Sequence, residues 1–198
     1  MDSRPDSAEW LALRVACQEA EAQGKLLGYR RRRWLRSEEF AGWLSEATLP
    51  TLSMDQALSL YAASGGNRRA EFKGNSIEEV RDTLDFLLYD MVMLEGRFTE
   101  CAAESGAYKL AGAGKEFVSY LMCLKDPWVF AVWNSQTERA LRKLGMYPMR
   151  LKSGPLGVRY LDLLETLAQV RRHLALGDFR AVDEFTYTIA RAGRKPAG

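Results

Sequence analysis

Leu110-Ala111-Gly112-Ala113-Gly114-Lys115-Glu116-Phe117-Val118-Ser119, followed by Val132-Trp133-Asn134-Ser135, is the stretch on which the reading of this chain turns. Two glycines one residue apart follow a leucine and precede an apolar-periodic segment. Glycine lacks Cβ and tolerates positive φ, so this pattern predicts a tight turn opening a helix. Such a turn can bring backbone N–H groups close to a phosphate, because the start of a helix carries free donors and a positive dipole end.

Outward from the turn, the periodicity is helical almost throughout. Asp6 and Glu9 predict a capped helix over 7–23, ending at Gly24. Trp34, Leu35, Phe40, Trp43 and Leu44 suggest a second helix, stopped before Pro50. Capping boxes at Ser53–Gln56, Ser76–Glu79 and Ser135–Glu138 open three more, the first running to Gly65-Gly66. A helix over 91–104 leads into the glycine turn, residues 65–75 read as loop, and Trp128–Trp133 reads as a buried connection. Helices over 157–175 and 178–191 close the chain, the last capped by Asp178. The expected class is all-α, with eight or nine helices. They form one domain over 1–198, or two lobes (1–75 with 157–198, and 76–156), before a disordered tail at 193–198.

At 198 residues with 47% apolar content, the chain can bury a full core. It has no apolar run of membrane-spanning length and no apolar leader after Met1, so no membrane partner is expected. Cys17, Cys101, Cys123 and the single His173 offer no zinc spacing; the thiols read as reduced and mostly buried, which fits a cytoplasmic protein. His173 has no partner at a catalytic spacing and is read as non-catalytic.

Charge is strongly segregated. Lys25, Arg30, Arg31, Arg32, Arg33 and Arg36 form one acid-free run, and Arg139, Arg142, Lys143, Arg150, Lys152 and Arg159 a second. The tail adds Arg191, Arg194 and Lys195; removing these fifteen cations from the net charge of +2 leaves −13 for the rest. Runs of this kind suggest faces for a polyanion, against the alternative of solvated helix surfaces.

The glycine turn, with Leu110 before it and a helix start at its distance after it, resembles the hairpin of the helix-hairpin-helix base-excision DNA glycosylases. That resemblance is specific over about 105–146. It implies a glycosylase-like helical bundle that binds double-stranded DNA. Gly112, Gly114 and Lys115 would lie at one phosphate, with a monovalent cation at the hairpin. It also implies where a catalytic pair would sit. The lysine position of lyase-type members is Glu116 here, and the carboxylate position eighteen residues on is Asn134. Glu116 cannot form a Schiff base, and a neutral amide cannot act as a carboxylate does. Asn134 reads equally as a helix N-cap. The Trp133-Asn134 pair, with Asp126-Pro127 before it, also resembles helix-hairpin-helix proteins associated with restriction or defence genes.

The reading is therefore a DNA-binding protein linked to repair or defence. It is non-catalytic through the usual pair, with the two basic runs adding contacts. Two alternatives stand beside it. One is a divergent glycosylase or restriction-associated enzyme acting on damaged or modified bases through Glu116, Asn134 or Asp126. The other is a helical module whose basic runs meet an acidic protein. Trp34 and Trp133, with Tyr120 and Trp128, are candidates for stacking on an extruded base, or else core residues.

Overall fold

A computed structural model describes residues 5–148 and 153–192. Among them the chain contains no strand. It forms α1 (Ser7–Ala22), α2 (Leu27–Arg33), α3 (Ser37–Trp43), a 3-10 turn (Leu49–Thr51), α4 (Met54–Ala63), α5 (Arg69–Lys73), α6 (Ile77–Tyr89), α7 (Leu94–Ala102), α8 (Lys115–Lys125), α9 (Ser135–Lys143), α10 (Leu156–Leu174) and α11 (Phe179–Arg191). The all-helical class is as expected; the helix count is higher than eight or nine. The additional helices are short. The arginine run itself winds into α2, with Tyr29 and Arg33 one turn apart on its buried face. The expected loop at 65–75 contains α5, anchored by Phe72, whose ring stacks on Tyr61 at 4.3 Å.

Local signals set most boundaries. The reciprocal caps of α1 (Asp6 with Glu9), α4 (Ser53 with Gln56) and α6 (Ser76 with Glu79) are all formed. At α9 the cap lies one residue earlier than the Ser135 box predicts: Asn134 Oδ1 accepts from the N–H groups of Gln136 and Thr137. Glu138 is thereby freed for another partner.

Helix α8 is the centre of the molecule. Every residue from Phe117 to Leu124 is buried, so no face of that span meets water and other helices must enclose it. Helices α3, α6 and α7 pack on it, while α10 lies on α7 and α11 on α9. One apolar cluster runs from Trp10 to Ile189 and draws residues from both of the segments that sequence divides into lobes. Phe98, Trp133 and Tyr160 stack within it, Phe98 to Tyr160 at 4.2 Å. Trp128 and Val129 depart from the expected buried connection: both are exposed, and only Ala131–Trp133 are fully enclosed. The proposed tail at 193–198, with Arg194 and Lys195, lies outside the described residues, as do Arg150 and Lys152. Among the described residues no helix is long and apolar enough to cross a membrane.

Candidate functional site

The glycine turn is a packed joint rather than an open loop. Helix α7 ends at Ala102, so twelve residues, 103–114, separate it from α8, and the turn is not tightly flanked by two helices. Gly112 has φ +75° and is buried against the start of α5: a Cβ there would come within 2.8 Å of both Arg68 O and Phe72 N. The Tyr61 hydroxyl donates to Gly112 O at 2.9 Å and accepts from Arg68 N at 3.0 Å, stapling the turn to the Gly65–Arg69 segment. Asn75 fixes the neighbouring peptide from both sides, accepting from Ala111 N and donating to Ala111 O. Leu110 O accepts from Ala113 N. The carbonyls of Leu110, Ala111 and Gly112 thus each accept a hydrogen bond within the protein.

Gly114 behaves differently. It is the N-cap of α8 in extended conformation, with open space where a Cβ would lie and no side-chain cap on the helix. The first turn of α8 therefore offers N–H groups with no side-chain acceptor.

Beside this helix start lies a buried polar cluster joining α2, α8, α9 and α11. The Arg33 side chain is only 5% exposed, its Nε 3.1 Å from Asp183 Oδ2 and its Nη1 3.6 Å from Glu116 Oε1. Nη1 donates to Ser64 O at 2.8 Å, and the guanidinium lies against the rings of Tyr29, Trp34 and Tyr120. Asp183 Oδ2 also accepts from the Tyr29 hydroxyl at 2.6 Å and Trp34 Nε1 at 3.2 Å; its Oδ1 accepts from Asn134 Nδ2 at 3.3 Å. Burial works against the Arg33 charge, but Asp183, Tyr29 and Glu116 outweigh it and hold the guanidinium firmly protonated. Burial also pushes the Glu116 carboxyl above its ordinary 4.5; Arg33 pulls it down and Asp183 pushes it up again.

On the other side of the α8 start, Lys115 Nζ meets Glu138 Oε1 at 2.5 Å and sits over the Trp133 ring. Trp133 Nε1 and Arg142 donate to the same carboxylate. Burial alone would raise the proton affinity of Glu138, but these three donors together lower it.

Several expected roles are corrected by these contacts. Trp133 and Trp34 are buried, so neither presents a free face to an extruded base; Tyr120 is buried as well, its hydroxyl bonded to Arg33 O. Asn134 is consumed by the α9 cap and by Asp183. Asp126 caps the far end of α8, its Oδ1 bonded to Trp128 N, about 15 Å along the helix from Glu116 at 1.5 Å per residue. Of the basic runs, Arg30 is held by Glu184 and Glu21, and Arg33 is internal. Arg142 is paired with Glu138, and Lys143 Nζ caps α11 through the carbonyls of Ile189 and Ala192. Arg31, Arg32 and Arg139 make no ion pair among the described residues, and Arg31 and Arg32 are exposed. The lysine expected at a phosphate, Lys115, is neutralised by its own neighbour.

Asn134→Asp tests whether a carboxylate belongs at the helix start. Aspartate caps helices as well as asparagine does, but here it would face Asp183 at about the 3.3 Å of the present amide contact. The expected result is a loss of about 1–3 kcal/mol at pH 7, from repulsion and the lost donor. The loss should shrink as pH falls, read by urea unfolding at pH 7 and 5.

Sequence reading did not find Asp183, Glu138, Tyr61, Asn75 or the Gly65–Arg69 segment. Asp183-Glu184 reads as charge at a helix start; in the fold both acids face arginines of α2. The one local hint was Gly65-Gly66 followed by Asn67-Arg68-Arg69, a glycine bend running into cations. No protein family model, curated protein or solved structure matches this chain.

Proposed function

We propose that this protein binds double-stranded DNA through backbone phosphates, at the edge where the start of α8 meets the Gly65–Arg69 segment. The reading is carried by one observation: the Tyr61 staple sets the uncapped first turn of α8 beside Arg68 and Arg69, with Arg33 of α2 reaching Glu116 on that turn. Donors fixed in this way position a duplex without reading its sequence. Arg31, Arg32 and Arg69 supply the exposed positive charge, and the contact is of the helix-hairpin-helix kind in what it binds. It requires no chemistry from Glu116 or Asn134, which suits an accessory role in DNA repair or defence.

Binding of a labelled 20-base-pair duplex, followed by anisotropy across a salt series, tests the proposal. Three to four phosphate contacts give a slope of log K against log salt of about −3. Changing both Arg31 and Arg32 to alanine should make the slope shallower by about 2 and weaken binding to all sequences alike. No binding at low salt, or a slope that the double substitution leaves unchanged, overturns it.

A further inference from the structure

The Arg33 guanidinium is an unfinished site. It is almost wholly enclosed, yet among the described residues Nη2 has no acceptor, and the Nε–Asp183 contact, though short, is poorly aligned as a hydrogen bond. A buried guanidinium normally satisfies its donors, because leaving them open costs free energy. The group lies at the first turn of α8, where Nη1 comes within 3.6 Å of Glu116 Oε1, too far for a good hydrogen bond. Above the pair, Gly65 has φ +93°, and a Cβ there would lie 2.9 Å from Glu116 Oε1 and 3.5 Å from Arg33 Nη1. The close approach of this backbone to carboxylate and guanidinium therefore depends on the missing side chain.

Charge counting identifies the weak member. Arg33 faces two carboxylates. Asp183 is surrounded by Tyr29, Trp34 and Asn134 as further donors. Glu116 receives no hydrogen bond on its carboxylate among the described residues and is 38% exposed, so it can swing into solvent.

We propose that Arg33, the Gly65 bend and the uncapped first turn of α8 form a seat for one phosphate, which the Glu116 carboxylate occupies in the free protein. The Arg fork matches a phosphate as it matches a carboxylate, and the helix start adds N–H donors. The identification of that phosphate as part of a DNA backbone rests on the function proposed above. A phosphate enters when Glu116 leaves or takes a proton, so binding is linked to proton uptake. The groups facing Glu116 are Arg33 and Tyr29 from α2, Asp183 from α11 and Lys115 on its own helix; the α4–α5 segment contributes only the Gly65 backbone. Burial and Asp183 favour the proton while Arg33 and Lys115 oppose it, with the protonated form winning relative to a free glutamate.

The experiment compares the full chain with Glu116→Gln, which keeps the shape and removes the charge, in two arms. In the first, inorganic phosphate is titrated while the amide resonances of Gly65 and residues 115–118 are followed. At pH 7.5 the variant should saturate at about tenfold lower phosphate than the wild type, the gap narrowing as pH falls and the wild-type carboxyl takes up its proton. In the second, the variant should bind the labelled duplex about three- to tenfold more tightly at pH 7.5, again converging at low pH. Glu46→Gln, at an exposed acid that makes no ion pair among the described residues, should change duplex affinity far less and leave the phosphate shifts alone. Identical phosphate titrations for wild type and Glu116→Gln at every pH overturn the seat. A positive phosphate arm with no duplex binding keeps the seat, assigns it to a free phosphate or small phosphorylated ligand, and overturns the DNA reading instead.

Discussion

Asp183→Ala should cost about 3–5 kcal/mol of folding free energy, the range for leaving one member of a buried ion pair without its partner. Asp183 is 3% exposed and receives donors from α2, from the residue that ends α2 and from the residue before α9: Tyr29, Arg33, Trp34 and Asn134. Removing the carboxylate leaves a guanidinium, a phenol, an indole N–H and an amide facing a small void, with Glu116 as the remaining counter-charge. Against a typical total of about 5–15 kcal/mol, such a loss brings the chain close to unfolding at room temperature. Urea unfolding followed by tryptophan fluorescence reads it directly, because Trp34 touches the altered group. The double variant with Arg33→Met should recover much of the loss, since removing both charges removes the unpaired one. A cost under about 1 kcal/mol for Asp183→Ala would show that water reaches Arg33 and that the cluster is not closed.

That cluster also shows what a linear pattern can carry. The caps at Asp6, Ser53 and Ser76 were legible because the partners lie three residues apart and the interaction is complete within one helical turn. The fold class followed from the same local periodicity. The arginine runs were legible as charge and misleading as surface. Arg30 meets Glu184 at a separation of 154 residues, and Arg33 meets Asp183 across a comparable distance, so no window over either segment contains both partners. Two of the six cations in the first run, Arg30 and Arg33, are paired with acids of α11 in the fold. Helix α5 escaped for a related reason: five residues cannot hold a helix by themselves, and Phe72 against Tyr61 and Phe117 supplies what propensity does not. Asn134 was legible as a cap, whereas its second bond, to Asp183, was not.

The two glycines of the opening turn look alike in sequence and should respond in opposite directions to one substitution. Gly112→Ser meets two penalties together: a non-glycine residue at φ +75°, and a Cβ pressed within 2.8 Å of backbone at Arg68 and Phe72, which cannot rotate aside. About 2–4 kcal/mol is expected, combining αL strain with overpacking, and the Tyr61 staple to Gly112 O should loosen with it. Gly114→Ser meets neither penalty, since its backbone is extended and nothing lies within 4 Å of the new Cβ. Serine is also the better N-cap, so a gain of a few tenths of a kcal/mol is expected from thermal unfolding. The same hydroxyl would then accept from the first-turn N–H groups that the proposed phosphate contact uses. Gly114→Ser should therefore be slightly more stable than the wild type and bind the duplex more weakly, a pairing that general damage to the fold cannot produce. Unchanged duplex affinity in a stabilised Gly114→Ser protein would place the phosphate contact away from the start of α8.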